Sequence, residues 1–147
     1  MKILVTGGCG YKGSVLIPKL LSIGHQVINF DTQWFGNYLS NNKNLKSIKG
    51  DIRDISKLSL EGVDVIIHLA NVANDPAVEL NPTMSWEINV LAGQQLIDKA
   101  KRANVKQFIF ASSGSVYGVK SEDKVTEDLL LVPISTYNKT KMQSHTT

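Results

Sequence analysis

Cysteine is nearly absent from this 147-residue sequence, and that scarcity excludes several classes of protein. Cys9 is the single cysteine, so neither a disulfide framework nor a cysteine zinc site can form within the chain. The three histidines, His25, His68 and His145, are too far apart to make a metal-binding motif. Long apolar runs are also missing, so the sequence predicts neither a signal peptide nor a membrane span. We therefore expect a cytoplasmic protein that binds no metal.

The remaining composition is that of an ordinary globular domain. The chain is 42% hydrophobic and 20% charged, and its formal net charge is +3. At roughly 150 residues per domain, its length predicts one domain over residues 1–147. The lysines are spread through a polar segment or gathered at a helix end, where cations complement the helix dipole. Nucleic acid is therefore not an expected partner.

Short apolar segments alternate with helical patterns along the chain, and the strands have apolar residues throughout. This arrangement is typical of parallel βαβ units whose sheet is covered on both faces. It predicts an α/β fold with a doubly wound parallel sheet, the Rossmann fold, with ligands at the carboxyl ends of the strands. The expected strands are residues 2–6, 26–31, 45–49, 63–70 and 107–111; the expected helices are 11–23, 82–103 and one that opens at Ser135.

A glycine-rich loop follows the first strand. It fits two patterns, one through Gly8, Gly10 and Gly13 and the other through Gly7, Gly10 and Gly13. Both allow a tight turn and expose backbone amides at a helix start to a pyrophosphate. Because the loop joins a strand to a helix and Asp31 ends the next strand, the pattern predicts a dinucleotide site.

Asp31 favours NAD over NADP. A carboxylate at the end of the second strand can bond the ribose hydroxyls of NAD, whereas it would repel the additional phosphate of NADP. The alternative is that Asp31 only begins a turn. Lys12 at the start of the helix could offset a phosphate charge, although a solvated lysine is the simpler interpretation.

Hydroxyl groups and a Tyr-x-x-x-Lys pattern follow in the second half of the chain. Ser112, Ser113 and Ser115 come directly after the last strand, at the edge of the sheet where ligands are expected. Tyr137 and Lys141 are four residues apart and share one helix face. A free phenol has a pKa of about 10, so Tyr137 needs nearby positive charge to act as a base at neutral pH.

Taken together and in this order, these motifs resemble the NAD-dependent epimerase/dehydratase family of extended short-chain dehydrogenases/reductases. The resemblance runs from Lys2 to Lys141 and implies Ser113, Tyr137 and Lys141 as the catalytic residues. Ser112 and Ser115 are expected to be ordinary loop hydroxyls, His68 a packed strand-end histidine, and Cys9 a small loop residue without a redox role. The cofactor-binding residues implied by the resemblance are Gly7, Gly10, Tyr11, Lys12, Gly13, Asp31, Asp51, Ile52, Leu69, Ala70, Asn71, Asn89, Tyr137 and Lys141, among which Asn89 matches an asparagine that stabilises the central sheet.

The resemblance also implies a reaction and partners. Tyr137 would take a proton from a sugar hydroxyl of a nucleotide-sugar substrate while NAD accepts hydride, and Ser113 would hold that hydroxyl. A homodimer through the long helix and the catalytic helix is implied as well. Gly114 and Ser115 stand where sugar-nucleotide 4,6-dehydratases carry Asp-Glu, so the elimination chemistry lacks its groups. Family members continue into a substrate-binding region, so we expect this chain to be a fragment that is weakly active or inactive alone.

Two alternatives stay open at this point. One is an NAD-dependent oxidoreductase on the same scaffold, which would release NADH with its product. The other is a non-catalytic NAD-binding or regulatory module, because a fold does not determine a function.

Overall fold

The computed structural model describes residues 1–56 and 58–145, so the expected domain end at Thr147 lies outside the described residues. It contains a parallel five-stranded sheet in the order β3-β2-β1-β4-β5. The doubly wound fold is thereby confirmed. The strands are β1 (Lys2–Thr6), β2 (Gln26–Asp31), β3 (Leu45–Lys49), β4 (Val65–His68) and β5 (Gln107–Phe110).

Alternate residues of the inner strands pack into two separate cores. In β1, Ile3 and Val5 lie in the core that contains Ile17 of helix α1 (Tyr11–Ser22). Leu4 points to the opposite face and joins a larger core with Leu96. Because successive strand side chains alternate between faces, an apolar strand of this kind requires a layer on each side of the sheet.

The expected long helix is present, but it is divided into three parts. Helix α3 (Pro82–Trp86) leads into a π-helical turn (Glu87–Leu91), which continues directly into α4 (Ala92–Arg102). A π turn widens the helix locally, and such turns are frequent at functional sites. Here the turn contains Asn89, which is buried.

Two further helices border the site. Helix α2 (Asp75–Leu80) was not expected from the apolar periodicity, because only Val78 of its six residues is buried. Helix α5 (Thr136–His145) begins directly after Ser135, as predicted, and continues four residues beyond Lys141.

Strand β4 is shorter than expected, since Val63 and Ala70 lie outside it. Within the two described ranges, no helix is long and apolar enough to cross a membrane.

Candidate functional site

The site lies where the sheet order reverses. β1 pairs with β2 on one side and with β4 on the other, so the chain leaves their carboxyl ends in opposite directions. Crevices form at such a switch point in open parallel sheets. A cleft of about 870 Å³ opens here, and it extends from the glycine loop to Tyr137 and Lys141.

Three of the four glycines of the loop, Gly7, Gly8 and Gly13, are packed too closely to carry a side chain. Gly7 has φ +71°, and a Cβ on it would lie 2.6 Å from the backbone nitrogen of Ala70. A Cβ on Gly8 would overlap the Asn29 side chain, and one on Gly13 would overlap the Gly8 backbone. Both glycine patterns are therefore satisfied by the same turn. Gly10 is the residue before α1 and lines the cleft.

Replacing Gly7 with alanine should destabilise the protein strongly. The added methyl group meets the backbone of Ala70, and alanine disfavours a positive φ. We expect the free energy of unfolding to fall by about 2–4 kcal/mol, measured by urea denaturation. Gly24→Ala is the matched control, because Gly24 also has a positive φ but open space around its Cβ position. An equal loss of stability in both variants would mean that the positive φ, and not the contact with Ala70, causes the destabilisation.

Asp31 is held at the cleft by its own neighbours. One carboxylate oxygen accepts a hydrogen bond from the Cys9 backbone nitrogen at 3.0 Å, and the other accepts from Gln33 at 2.6 Å. These bonds tie the glycine loop to the end of β2 and aim the carboxylate into the cleft. Asp31 thus begins a turn, as the simpler alternative held, and also faces the cleft.

The other proposed cofactor contacts fall into two groups. Tyr11 and Lys12 line the cleft at the start of α1, opposite Asp51 and Ile52. Asp51 binds Arg53 at 2.7 Å, and this hydrogen-bonded guanidinium lowers the pKa of the Asp51 carboxyl. Arg53 also pairs with Glu87 of the π turn, which fastens this loop to the helix. The segment after β4 completes the wall with Leu69, Ala70 and Asn71.

Two of the predicted cofactor residues, Gly13 and Asn89, do not line the cleft. Gly13 is buried against the Gly8 backbone, and Asn89 is buried in the π turn. The Asn89 side chain accepts a hydrogen bond from the Val72 backbone nitrogen at 2.7 Å and donates to the Val72 carbonyl at 3.1 Å. It also donates to Thr140 of α5 at 3.2 Å. Asn89 thus ties the segment after β4 to helix α5.

Ser113, Tyr137 and Lys141 come together at one end of the cleft. Ser113 lies close enough to the Tyr137 phenol to lower its pKa, and the Ser113 hydroxyl lies 2.7 Å from that of Ser115. The Lys141 ammonium donates to the Ala111 carbonyl at 2.9 Å. It lies 4.9 Å from the centre of the Phe110 ring and 5.9 Å from that of Tyr137.

Burial shifts the pKa values of Tyr137 and Lys141 in the directions that favour the neutral form of each side chain. Desolvation raises the pKa of the Tyr137 phenol, Ser113 opposes this, and the charge of Asp75 adds to it. This direction is opposite to what a base requires, so the role that the resemblance implied for Tyr137 would need additional positive charge near the phenol. Desolvation and the charge of Lys12 lower the pKa of Lys141 to about 8.

His68 is packed in the interior, as expected, whereas Cys9 is half-buried and lines the cleft. His68 is buried, its Nδ1 lies 2.6 Å from the Thr6 hydroxyl, and its ring stacks on Phe110. Burial and the charge of Lys141 lower the pKa of His68 to about 4, so it is neutral at physiological pH. Cys9 accepts from Asn29, and burial raises the pKa of its thiol. Among the described residues, no three potential metal ligands cluster together.

The sequence patterns missed several residues that line the cleft. Trp34 and Phe35 follow β2 and are exposed aromatic residues, a signal that marks ligand or partner contact. Asp75 belongs to the short helix that periodicity did not predict. The other unpredicted lining residues include Phe30, Thr32, Gly50, Val72, Ala73, Asn74 and Ile88.

Comparison with known proteins agrees with this geometry. Residues 3–147 match the model of the NAD dependent epimerase/dehydratase family. A UDP-glucose 4-epimerase from Lactobacillus helveticus is 35% identical over 146 residues, which cover 97% of this chain and 44% of the relative. The chain thus spans about half the length of the curated relatives that it matches.

Solved structures of the same class superpose on nearly the whole chain. A UDP-glucuronic acid 4-epimerase from Bacillus cereus in complex with NAD is 36% identical, with a TM-score of 0.86 over 99% of this chain and 50% of that one. A UDP-N-acetylglucosamine 4-epimerase from Methanobrevibacter ruminantium M1 is 30% identical, with a TM-score of 0.90 over 97% and 47%. From its sequence and its fold, the chain belongs to the NAD-dependent epimerase/dehydratase family.

Proposed function

We propose that this chain forms the NAD-binding part of a nucleotide-sugar epimerase. The observation that carries the proposal is that Ser113, Tyr137 and Lys141 line the same cleft as the glycine loop. A dinucleotide whose pyrophosphate lies at this loop can extend one of its two nucleosides along the cleft to the three side chains. A module that only bound the cofactor would have no need of them.

The residues of the cleft fit NAD. Gly7 brings the backbone of the loop against Ala70 at a distance that no side chain would permit, and the N-terminus of α1 follows directly. Such a turn accepts a pyrophosphate, while the Asp31 carboxylate suits ribose hydroxyls. When bound, NAD supplies the acceptor and donor of a hydride.

In the proposed reaction, Tyr137 takes a proton from a sugar hydroxyl and later returns one. Ser113 can hold that hydroxyl, because it lines the same cleft and lies near enough to the phenol to lower its pKa. Lys141 keeps a positive charge beside the Tyr137 ring, at 5.9 Å from its centre, and so favours the phenolate. Ala111 and Phe110 hold the ammonium in place.

Replacing Asp31 with alanine should narrow the preference for NAD over NADP. The wild-type carboxylate faces the ribose end of the cleft and would repel an additional phosphate. We expect a wild-type preference of at least about tenfold that falls severalfold in Asp31→Ala, measured by calorimetric titration with both dinucleotides. Tighter wild-type binding of NADP would contradict the assignment. Asp54→Ala, outside the cleft lining, is the control.

An assay of the complete protein with UDP-glucose tests the proposed function. Conversion to UDP-galactose without accumulation of NADH supports an epimerase. NADH that accumulates in proportion to product would show the oxidoreductase alternative. NAD binding without turnover of any nucleotide sugar would favour the non-catalytic module.

The partner and location are further proposals. A homodimer through α3, α4 and α5 is consistent with the exposed apolar side chains Trp86 and Leu91 on the long helix. Sedimentation of the complete protein would test it, with Leu91→Lys expected to weaken the dimer. We also propose a cytoplasmic location and no role for nucleic acid, as the composition predicted.

A further inference from the structure

One carboxylate shares the cleft with the catalytic candidates and has no part in the proposed reaction. Asp75 is the first residue of α2 and lines the same cleft as Ser113 and Tyr137. Its Oδ1 atom is enclosed by protein, yet it accepts no hydrogen bond from residues 1–56 or 58–145. Enclosed polar atoms are normally paired, so the carboxylate is not satisfied by the protein. Its second oxygen is not enclosed and also accepts no hydrogen bond from these residues, so that oxygen is available to a donor on a ligand.

The local backbone explains why Asp75 is available. The preceding residue, Asn74, caps α2, and its side chain accepts a hydrogen bond from the Ala77 nitrogen at 3.0 Å. The capping position is therefore filled without Asp75. The following residue is Pro76, which has no backbone N–H to donate. The helix thus begins without using the Asp75 carboxylate.

The charge of Asp75 acts on the proposed base. Its negative charge is one of the causes that raise the pKa of the Tyr137 phenol. The other charged residues at the cleft are Lys12, Asp31, Asp51 and Lys141. Lys141 directs its ammonium to the Ala111 carbonyl. This effect of Asp75 disfavours ionisation of the proposed base and so hinders catalysis. A contribution of Asp75 to substrate binding would offset that cost.

We propose that Asp75 is a specificity-determining residue for the sugar. Its accessible oxygen accepts a hydrogen bond from a hydroxyl or amino group of the sugar beside Tyr137, and its charge repels a sugar that carries a carboxylate. The site therefore takes neutral or amino nucleotide sugars in preference to uronic acids. This inference rests on the proposed function, because Tyr137 must lie within hydrogen-bond distance of the sugar to act as its base.

Calorimetric titration of the NAD-loaded complete protein tests the inference, with UDP-glucose and UDP-glucuronate as the probes. We expect the wild type to bind UDP-glucose at least about tenfold more tightly than UDP-glucuronate. Asp75→Asn should remove most of that difference by improving UDP-glucuronate binding. Asp75→Ala should weaken UDP-glucose about tenfold as well, because no acceptor remains. Equal wild-type affinities, or an unchanged ratio in Asp75→Asn, would overturn the inference.

A matched control and a second measurement separate this inference from the proposed function. Glu79→Gln removes one negative charge from an exposed position of the same helix and should leave the affinity ratio unchanged. In the ligand-free protein, an NMR titration should find a lower pKa for Tyr137 in Asp75→Asn than in wild type. If the pKa of Tyr137 were the same in Asp75→Asn as in wild type, Asp75 would not lie beside Tyr137, and this result alone would overturn the inference. A lowered Tyr137 pKa with no binding of either nucleotide sugar contradicts the proposed function and the sugar-binding role with it.

Discussion

Replacing Tyr137 with phenylalanine is expected to lower nucleotide-sugar turnover by the complete protein about a thousandfold. In the proposed reaction the phenol exchanges a proton with the sugar, whereas the substitution leaves the glycine loop and Asp31 intact. The dissociation constant for NAD should therefore change by no more than about threefold. Steady-state kinetics and calorimetric titration with NAD measure the two quantities.

Tyr117→Phe is the matched control for this experiment. Tyr117 ends the 3₁₀ turn (Gly114–Tyr117) that follows Ser113, but it does not line the cleft. The same chemical change at Tyr117 should leave turnover within about twofold of wild type. If Tyr137→Phe kept turnover within a few-fold of wild type, Tyr137 would have no part in proton transfer.

The order of strands and the location of the cleft could be predicted because local patterns determine them. Apolar runs such as Ile3–Val5 must be covered on both faces, and parallel connections bring the carboxyl ends of strands to one edge. The glycine loop, Asp31 and the hydroxyls after β5 all follow strands. Their convergence therefore follows from the fold, and the structure confirms that these residues line one cleft.

The division of the long helix could not be predicted from periodicity. A π turn inserts one residue into the helical repeat, and the apolar positions on both sides still follow a helical spacing. Its position depends on tertiary bonds, above all those from Asn89 to Val72 and Thr140. These contacts span 17 and 51 residues of sequence, so no local window contains them.

Asp75 and the direction of the Tyr137 pKa were missed for a related reason. Helix α2 has six residues and a single buried one, too few for a recognisable period. The pKa of Tyr137 depends on burial and on Asp75, which lies 62 positions away in sequence and becomes a neighbour only in the folded chain. The four-residue spacing predicted that Lys141 would lower the pKa of Tyr137. It could not show how strongly burial raises the same pKa.

Lys141→Met is expected to stabilise the fold while removing catalysis. Burial lowers the pKa of Lys141 to about 8, from 10.5 for the free side chain. Between these two pH values the unfolded chain binds more protons than the folded one, so the free energy of unfolding rises with pH. Below pH 8 the buried ammonium costs the fold its full penalty, at most about 3 kcal/mol. Methionine has no charge to bury, and the variant should gain about 1–2 kcal/mol at pH 7, measured by urea denaturation.

The pH dependence distinguishes this explanation from a simple packing effect. The stability difference between Lys141→Met and wild type should shrink from pH 8 to pH 10.5, because the wild-type lysine loses its proton across that window. Lys139→Met, on the exposed face of the same helix, should show neither the gain nor the pH dependence. Turnover should fall about a hundredfold or more in Lys141→Met alone, since the phenolate of Tyr137 loses its nearby cation. A variant less stable than wild type at pH 7, or a difference that does not change with pH, would show that the Lys141 ammonium is fully compensated by Ala111 and Phe110.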